Sequence, residues 1–137
     1  MRETASEGRT PVFAKLELTR MAQALASHAG ARMDVIARNV ANADTPGYRA
    51  RDLSAFAEVY KSDSDMRATR PGHYSRSDSA AGPEIIAGGG AEAPNGNDVS
   101  LEMEMVKSAT ARQDHEMALA IYRATSGVIR ASLGRNG

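Results

Sequence analysis

Three histidines, His28, His73 and His115, are the side chains of this 137-residue chain most suited to holding a metal or carrying a proton. A metal pair on one helical face needs a second ligand a few positions away. No His-x-Glu or His-x3-His spacing occurs, so the three are too far apart to form a local pair. Asp114 and Glu116 flank His115, an arrangement that reads as a solvated helix face and not as a general acid and base. The chain has no cysteine, which excludes a disulfide framework, a thiolate zinc site and a thiol nucleophile. Gly88-Gly89-Gly90 lacks the flanking strand, helix and lysine that a phosphate-cradling loop requires, and reads as a flexible loop. Arg49 and Arg51 offer two cations in an extended segment, suited to an acidic partner or to solvent. Met103, Met105 and Met117 are adaptable packing groups. These residues assemble no catalytic set, so neither an enzyme activity, a cofactor nor a small-molecule substrate is expected.

Composition points to packing between chains. Bulky apolar residues are sparse, tryptophan is missing, and alanine dominates the 42% of residues counted as hydrophobic. Burial contributes roughly 25 cal/mol per Å², whereas ordering the backbone costs about 1–2 kcal/mol per residue. An alanine-rich chain therefore completes its burial best as long helices against other chains. Net charge is zero, with 17 basic and 17 acidic residues interspersed. That pattern lacks the clustered basic face of a nucleic-acid binder. No apolar run has the length of a membrane span, and residues 1–9 lack the apolar region of a cleaved signal peptide. Residue physics alone thus gives no address beyond the cytoplasm.

The chain reads as a single unit of helix, irregular middle and helix: mainly α, with two long terminal helices packed as an antiparallel coiled-coil-like hairpin. A flexible segment over 1–10 precedes a first helix over 11–44, started by Thr10 as N-cap and Pro11 at the first helical position. Leu18, Ala22, Leu25, Ala29, Arg32, Ile36, Asn39 and Ala43 recur at alternating intervals of four and three, a heptad-like stripe. Gly30 inside it is either tolerated or admits a close neighbouring helix. Thr45-Pro46-Gly47-Tyr48 is a β-turn signal with Pro second and Gly third, favouring type II. Pro46 also drives Thr45 out of helical conformation.

Residues 45–97 form the turn, extended and flexible middle. Leu53 to Tyr60 is read as either two helical turns or an extended segment, and a β-hairpin is expected near Ile85 and Ile86. The remaining Gly, Ser and Pro clusters mark loop that a partner would order. The second helix is expected over 98–134, starting at Asn97 or Asp98. Its stripe is Leu101, Met105, Ser108, Arg112, His115, Leu119, Tyr122, Ser126, Ile129 and Leu133. Val99, Val106, Met117, Ala120, Ala124 and Val128 add a second, weaker apolar face. A helix apolar on more than one face calls for more than one neighbour.

Asp34 to Leu53 closely resembles the N-terminal signature of the flagellar rod, hook and hook-associated family. In that signature an Asn-x-x-Asn helix runs into a Thr-x-Gly-Tyr turn. Asn39, Asn42, Thr45, Pro46, Gly47 and Tyr48 carry it here. The stretch Asn95 to Met105, with Asn97, Val99, Leu101, Glu104 and Met105, is similar to the family's entry into its C-terminal helix. Thr69 and His73, and the length of the chain, resemble the proximal rod members. The resemblance implies a structural subunit exported by the flagellar type III apparatus without a cleaved signal. It further implies polymerisation in the periplasmic rod of the basal body, with other rod proteins and membrane-ring or adaptor proteins as partners. Asn39 and Asn42 are then expected either to fix helix register through hydrogen bonds or to lie exposed before the turn. Phe13 and Leu16 are either read by the export gate or anchor the first helix. Alternatives are another rod subunit of the family, or a helical adaptor or chaperone that does not polymerise.

Overall fold

The computed structural model describes residues 11–63 and 83–134, so the expectations for Thr10, Thr69, His73 and the loop at 64–82 lie outside the described residues. In chain order the elements are α1 (Pro11–Ala41), β1 (Arg51–Leu53), α2 (Phe56–Asp63), β2 (Ile85–Ala87) and α3 (Leu101–Gly134). With 31 and 34 residues, α1 and α3 each extend for about 50 Å. They run antiparallel: Asn39 of α1 meets Glu104 of α3, and at the other end the hydroxyls of Thr19 and Thr125 are 3.1 Å apart.

The seam is made of small residues at seven-residue spacing. Ala22, Ala29 and Ile36 face Glu104, Ala111, Ala118 and Thr125, all buried. Alanine at these positions lets the two backbones approach, but each one removes little apolar area from water, so the seam is tight without being strongly stabilising. On α1 the buried positions fall on the expected stripe. On α3 they fall one residue before it, at 104, 111, 118 and 125 in place of 105, 112, 119 and 126. The displaced stripe followed side-chain bulk, whereas the fold selects the face on which alanines allow contact and Glu104 finds partners. Leu101 and Met105 consequently remain 52% and 72% exposed.

Each helix falls short of its expected limits at one end, α1 at its C-terminus and α3 at its N-terminus, for local reasons. At the end of α1 the Asn42 N–H is shared between Arg38 O (3.2 Å) and Asn39 O (3.1 Å), and the Ala43 N–H reaches back only to Val40 O (3.2 Å). The helix tightens and ends before Asp44. Helix α3 begins at Leu101, and not at Asn97 or Asp98, because Asp98 is engaged elsewhere. Its N–H donates to Tyr48 O and its C=O accepts the Gly90 N–H. Ser100 is the cap: its carbonyl accepts the Glu104 N–H at 2.9 Å and its hydroxyl lies 3.4 Å from the Met103 N–H.

The described part of the middle is more regular than expected. Leu53 closes β1 and helical turns begin at Phe56, so the stretch from Leu53 to Tyr60 divides between the two readings. Ile85 and Ile86 form a strand, but not in a local hairpin. Strand β2 pairs antiparallel with distant β1, in the register Arg51 to Ala87, Asp52 to Ile86 and Leu53 to Ile85. The glycine run that follows is packed, not loose. The Gly88 N–H donates to Ala50 O at 3.1 Å, and a Cβ on Gly88 would lie 2.8 Å from the Arg51 carbonyl carbon. A Cβ on Gly89 would collide with the Asp98 carboxylate.

Candidate assembly junction

The family-like motif is folded around the end of α1. The Tyr48 N–H donates to Thr45 O at 3.2 Å, and Gly47 has φ +73°, as a type II turn requires of its third residue. Asn97, buried at the entry to α3, closes this end of α1. Its Nδ2 lies 2.8–2.9 Å from the carbonyls of Asn42, Ala43 and Thr45, while its Oδ1 accepts the Val99 N–H at 2.8 Å. Helix-terminal carbonyls left without partners are costly. Here one side-chain amide from the far half of the chain shares its two N–H groups among three carbonyls just beyond the helix end, two of which also accept backbone bonds within the turn.

Asn39 is fully buried and uses its whole carboxamide. Nδ2 donates to Arg51 O (2.7 Å) and to Glu104 Oε2 (3.0 Å), and Oδ1 accepts from the Arg51 N–H (3.1 Å) and the Tyr48 hydroxyl (3.2 Å). The amide thus holds both backbone groups of Arg51, standing where a neighbouring strand would stand beside β1. Asn42 plays no such part. Its Nδ2 bonds Arg38 O in its own helix and its Oδ1 accepts from the Thr45 hydroxyl. Of the two asparagines, only Asn39 links the helices.

Glu104 carries the network onward. Its Oε1 accepts from Lys107 Nζ at 3.0 Å, and that ammonium also donates to Gly88 O (2.8 Å) and lies 3.8 Å from Asp52 Oδ2. Asp52 accepts two bonds from Arg32 of α1, at 2.9 and 3.0 Å, and one from the Leu53 N–H. Burial opposes ionisation of Asp52. The bonds from Arg32 and Leu53 and the positive charges of Arg32 and Lys107 outweigh it and hold the carboxyl below its usual range. The same hydrogen bond raises the Arg32 guanidinium against the opposing effect of burial. Two carboxylates, two cations, one amide and one phenol therefore join α1, β1, the glycine run and α3. No buried side-chain polar atom lacks a partner among the described residues. Burying charge without such pairing would cost several kcal/mol per ion.

The other sequence-selected groups serve the scaffold. His28 Nε2 lies 2.8 Å from Ser54 O and its ring packs edge-on to Phe56, 5.7 Å between centroids, so it ties α2 to α1. Arg49 pairs with Glu92 at 2.9 Å and with Asp98 at 3.6 Å. The exposed Thr45, Pro46 and Gly47 form the turn, Tyr48 and Val99 are half-buried, and Leu101 and Met105 face outward. Asp52 and Lys107 were not singled out by sequence, which marks Arg32 and Asp98 only as a stripe position and a helix start, not as ion-pair partners.

What the hairpin leaves uncovered is apolar. Phe13, Leu16, Val40, Met105, Val106, Met117, Val128 and Leu133 are each more than two-fifths exposed. A groove of about 740 Å³ runs between α1 and α3 beside the junction, with Met33, Ile36, Val40 and Met105 on its walls and Arg112 and Glu116 at its edge. Among the described residues no group of three His, Cys, Asp or Glu side chains converges as a metal site would need. None of the described helices is long and apolar enough to cross a membrane.

The described hairpin thus combines a buried polar junction, a two-helix seam and uncovered apolar flanks. Residues 22–49, from within α1 through the turn, match the sequence model of the family described as flagella basal body rod protein. The chain is 29% identical over 120 residues to the flagellar basal body rod protein FlgB of Agrobacterium fabrum, covering 79% of this chain and 86% of that protein. A FlgB of Cereibacter sphaeroides is 29% identical over 107 residues, covering 75% and 84%. The FlgB of Escherichia coli is 57% identical over 30 residues, 22% of each chain. The match to the rod family model is confined to residues 22–49, and the relatives the chain is similar to over most of its length are named FlgB.

Proposed function

We propose that this chain is a structural subunit of the flagellar basal-body rod, at the proximal position that its FlgB relatives suggest. In this reading it is not an enzyme. It leaves the cell through the flagellar type III apparatus without a cleaved signal. It then joins other rod proteins and the membrane-ring or adaptor proteins in the helical shaft that passes torque to the hook. The observation that carries the reading is the division of labour within the hairpin. The family motif is spent internally, on closing α1 and pairing with α3, while apolar side chains along both helices stay exposed. Exposed apolar area on this scale marks surfaces that other chains cover.

A photo-reactive residue placed at Met105 or Val128 in the producing cell tests it. The rod reading expects crosslinks to basal-body proteins in purified basal bodies, and loss of swimming when the gene is deleted. A chain recovered only as a soluble monomer, with normal basal bodies in the deletion strain, would support the non-polymerising adaptor instead.

A further inference from the structure

Beside the motif turn, on the C-terminal end of α1, lies a concavity of about 490 Å³. Val35 and Ile85 give it apolar walls, Tyr48 lines it, and Arg38, Arg49 and Arg51 bring three guanidinium groups to it. No aspartate or glutamate lines it. In a chain of zero net charge with acidic residues interspersed throughout, three arginines without a carboxylate around one hollow are a local excess. Arg49 is already neutralised by Glu92. Arg38 and Arg51 make no ion pair among the described residues, and both are exposed. Arg38 also stands in the last turn of α1, where a cation offsets the partial negative charge of the helix end. That role does not extend to Arg51, which lies on β1.

We propose that this hollow docks an acidic segment of a neighbouring protein of the assembly, its carboxylates paired with Arg38 and Arg51 and an apolar side chain set against Val35 and Ile85. The inference rests on the rod reading and names the chemistry of one neighbour. Charge complementarity selects the occupant. Arginine forks pair bidentately with carboxylates, and the two uncommitted ones here are presented by a fixed helix and a strand whose backbone Asn39 holds. Apolar walls favour a peptide with a hydrophobic residue among its acids over a bare anion.

The test uses the full chain in the producing cell. A photo-reactive residue at Ile85 is expected to crosslink, in purified basal bodies, to a peptide with two or more carboxylates beside the crosslinked position. Arg38→Glu with Arg51→Glu is expected to cut the number of completed basal bodies about tenfold, since like charges facing each other across an interface cost several kcal/mol. Replacing the partner's crosslinked carboxylates by lysine should restore them. Unchanged helical circular dichroism of the double variant shows that the hairpin survives. Crosslinks at Met105 but none at Ile85, or a crosslinked peptide without carboxylates, overturn this inference and leave the rod reading standing. So does Arg38- and Arg51-dependent co-sedimentation with phosphatidylglycerol vesicles accompanied by crosslinking to lipid. Absence of crosslinks at both positions, with the chain missing from basal bodies, removes the rod reading itself.

Discussion

Asn39 of α1 and Glu104 of α3 meet at 3.0 Å in a part of the molecule closed to solvent, 0% and 1% exposed. Asn39→Ala strips bonds from Arg51, Tyr48 and Glu104 at once. A loss of about 2–4 kcal/mol is expected, because buried polar groups are left without partners. Asn39→Asp should be at least as damaging, as it sets a second carboxylate against Glu104. Urea unfolding of the purified variants checks both, and an alanine variant within about 0.5 kcal/mol of the parent would show that the junction does not hold the hairpin.

The Asp52 carboxyl is held below its usual range in the folded chain. A depressed pKa contributes stability that is present above the unfolded value and lost as pH falls through the folded one. The parent should therefore exceed Asp52→Asn in stability at neutral pH, with the gap narrowing once pH drops below about 4, the ordinary carboxylate range. A gap that stays constant down to pH 2 would mean that ionisation of Asp52 is not what stabilises.

Seam and flank should separate stability from assembly. Ala111 and Ala118 are fully buried, so Ala111→Leu or Ala118→Leu is expected to cost about 1–3 kcal/mol by overpacking. Met105→Ala, at a 72% exposed position, should change the stability of the isolated chain by less than about 0.5 kcal/mol while lowering its incorporation into basal bodies. Equal thermal shifts for the two kinds of variant would contradict the division.

The glycines divide in the same way. Gly30 and Gly127 lie in helices with nothing within 4 Å of an added Cβ, so alanine there should stabilise the isolated chain by up to about 1 kcal/mol. Gly88→Ala must instead displace β1, and amide exchange should then quicken at Ala50 to Ser54. Were Gly30→Ala to stabilise the free chain yet block incorporation, the close neighbouring helix left open by the sequence would belong to another subunit.

The hairpin and its turn were legible because their signals are local. A proline-glycine turn, a heptad rhythm and an asparagine in a helical seam all lie within a few positions of one another. The α3 face was misplaced by one residue because alanine gives a weak periodic signal and a buried glutamate gives a misleading one. Bulk therefore drew the stripe through Met105 when the seam runs through Glu104. The ion pairs among Arg32, Asp52 and Lys107 were out of reach for another reason. Their meaning depends on a strand pairing of two three-residue segments, which carry too little pattern to declare each other. The glycine run reads as slack in sequence, and only the strand beside it makes it a tight fit.

The cap that Asn97 places on the end of α1 ties the completion of the first helix to the arrival of a residue more than fifty positions later. Any process that delivers this polypeptide one end first, whether a ribosome or a narrow conduit, releases a first half whose terminal carbonyls still face water. The finished shape becomes available only when the last third of the chain has followed. A growing structure that recognises the closed turn would therefore ignore truncated or stalled copies, a form of proofreading that needs no separate inspector.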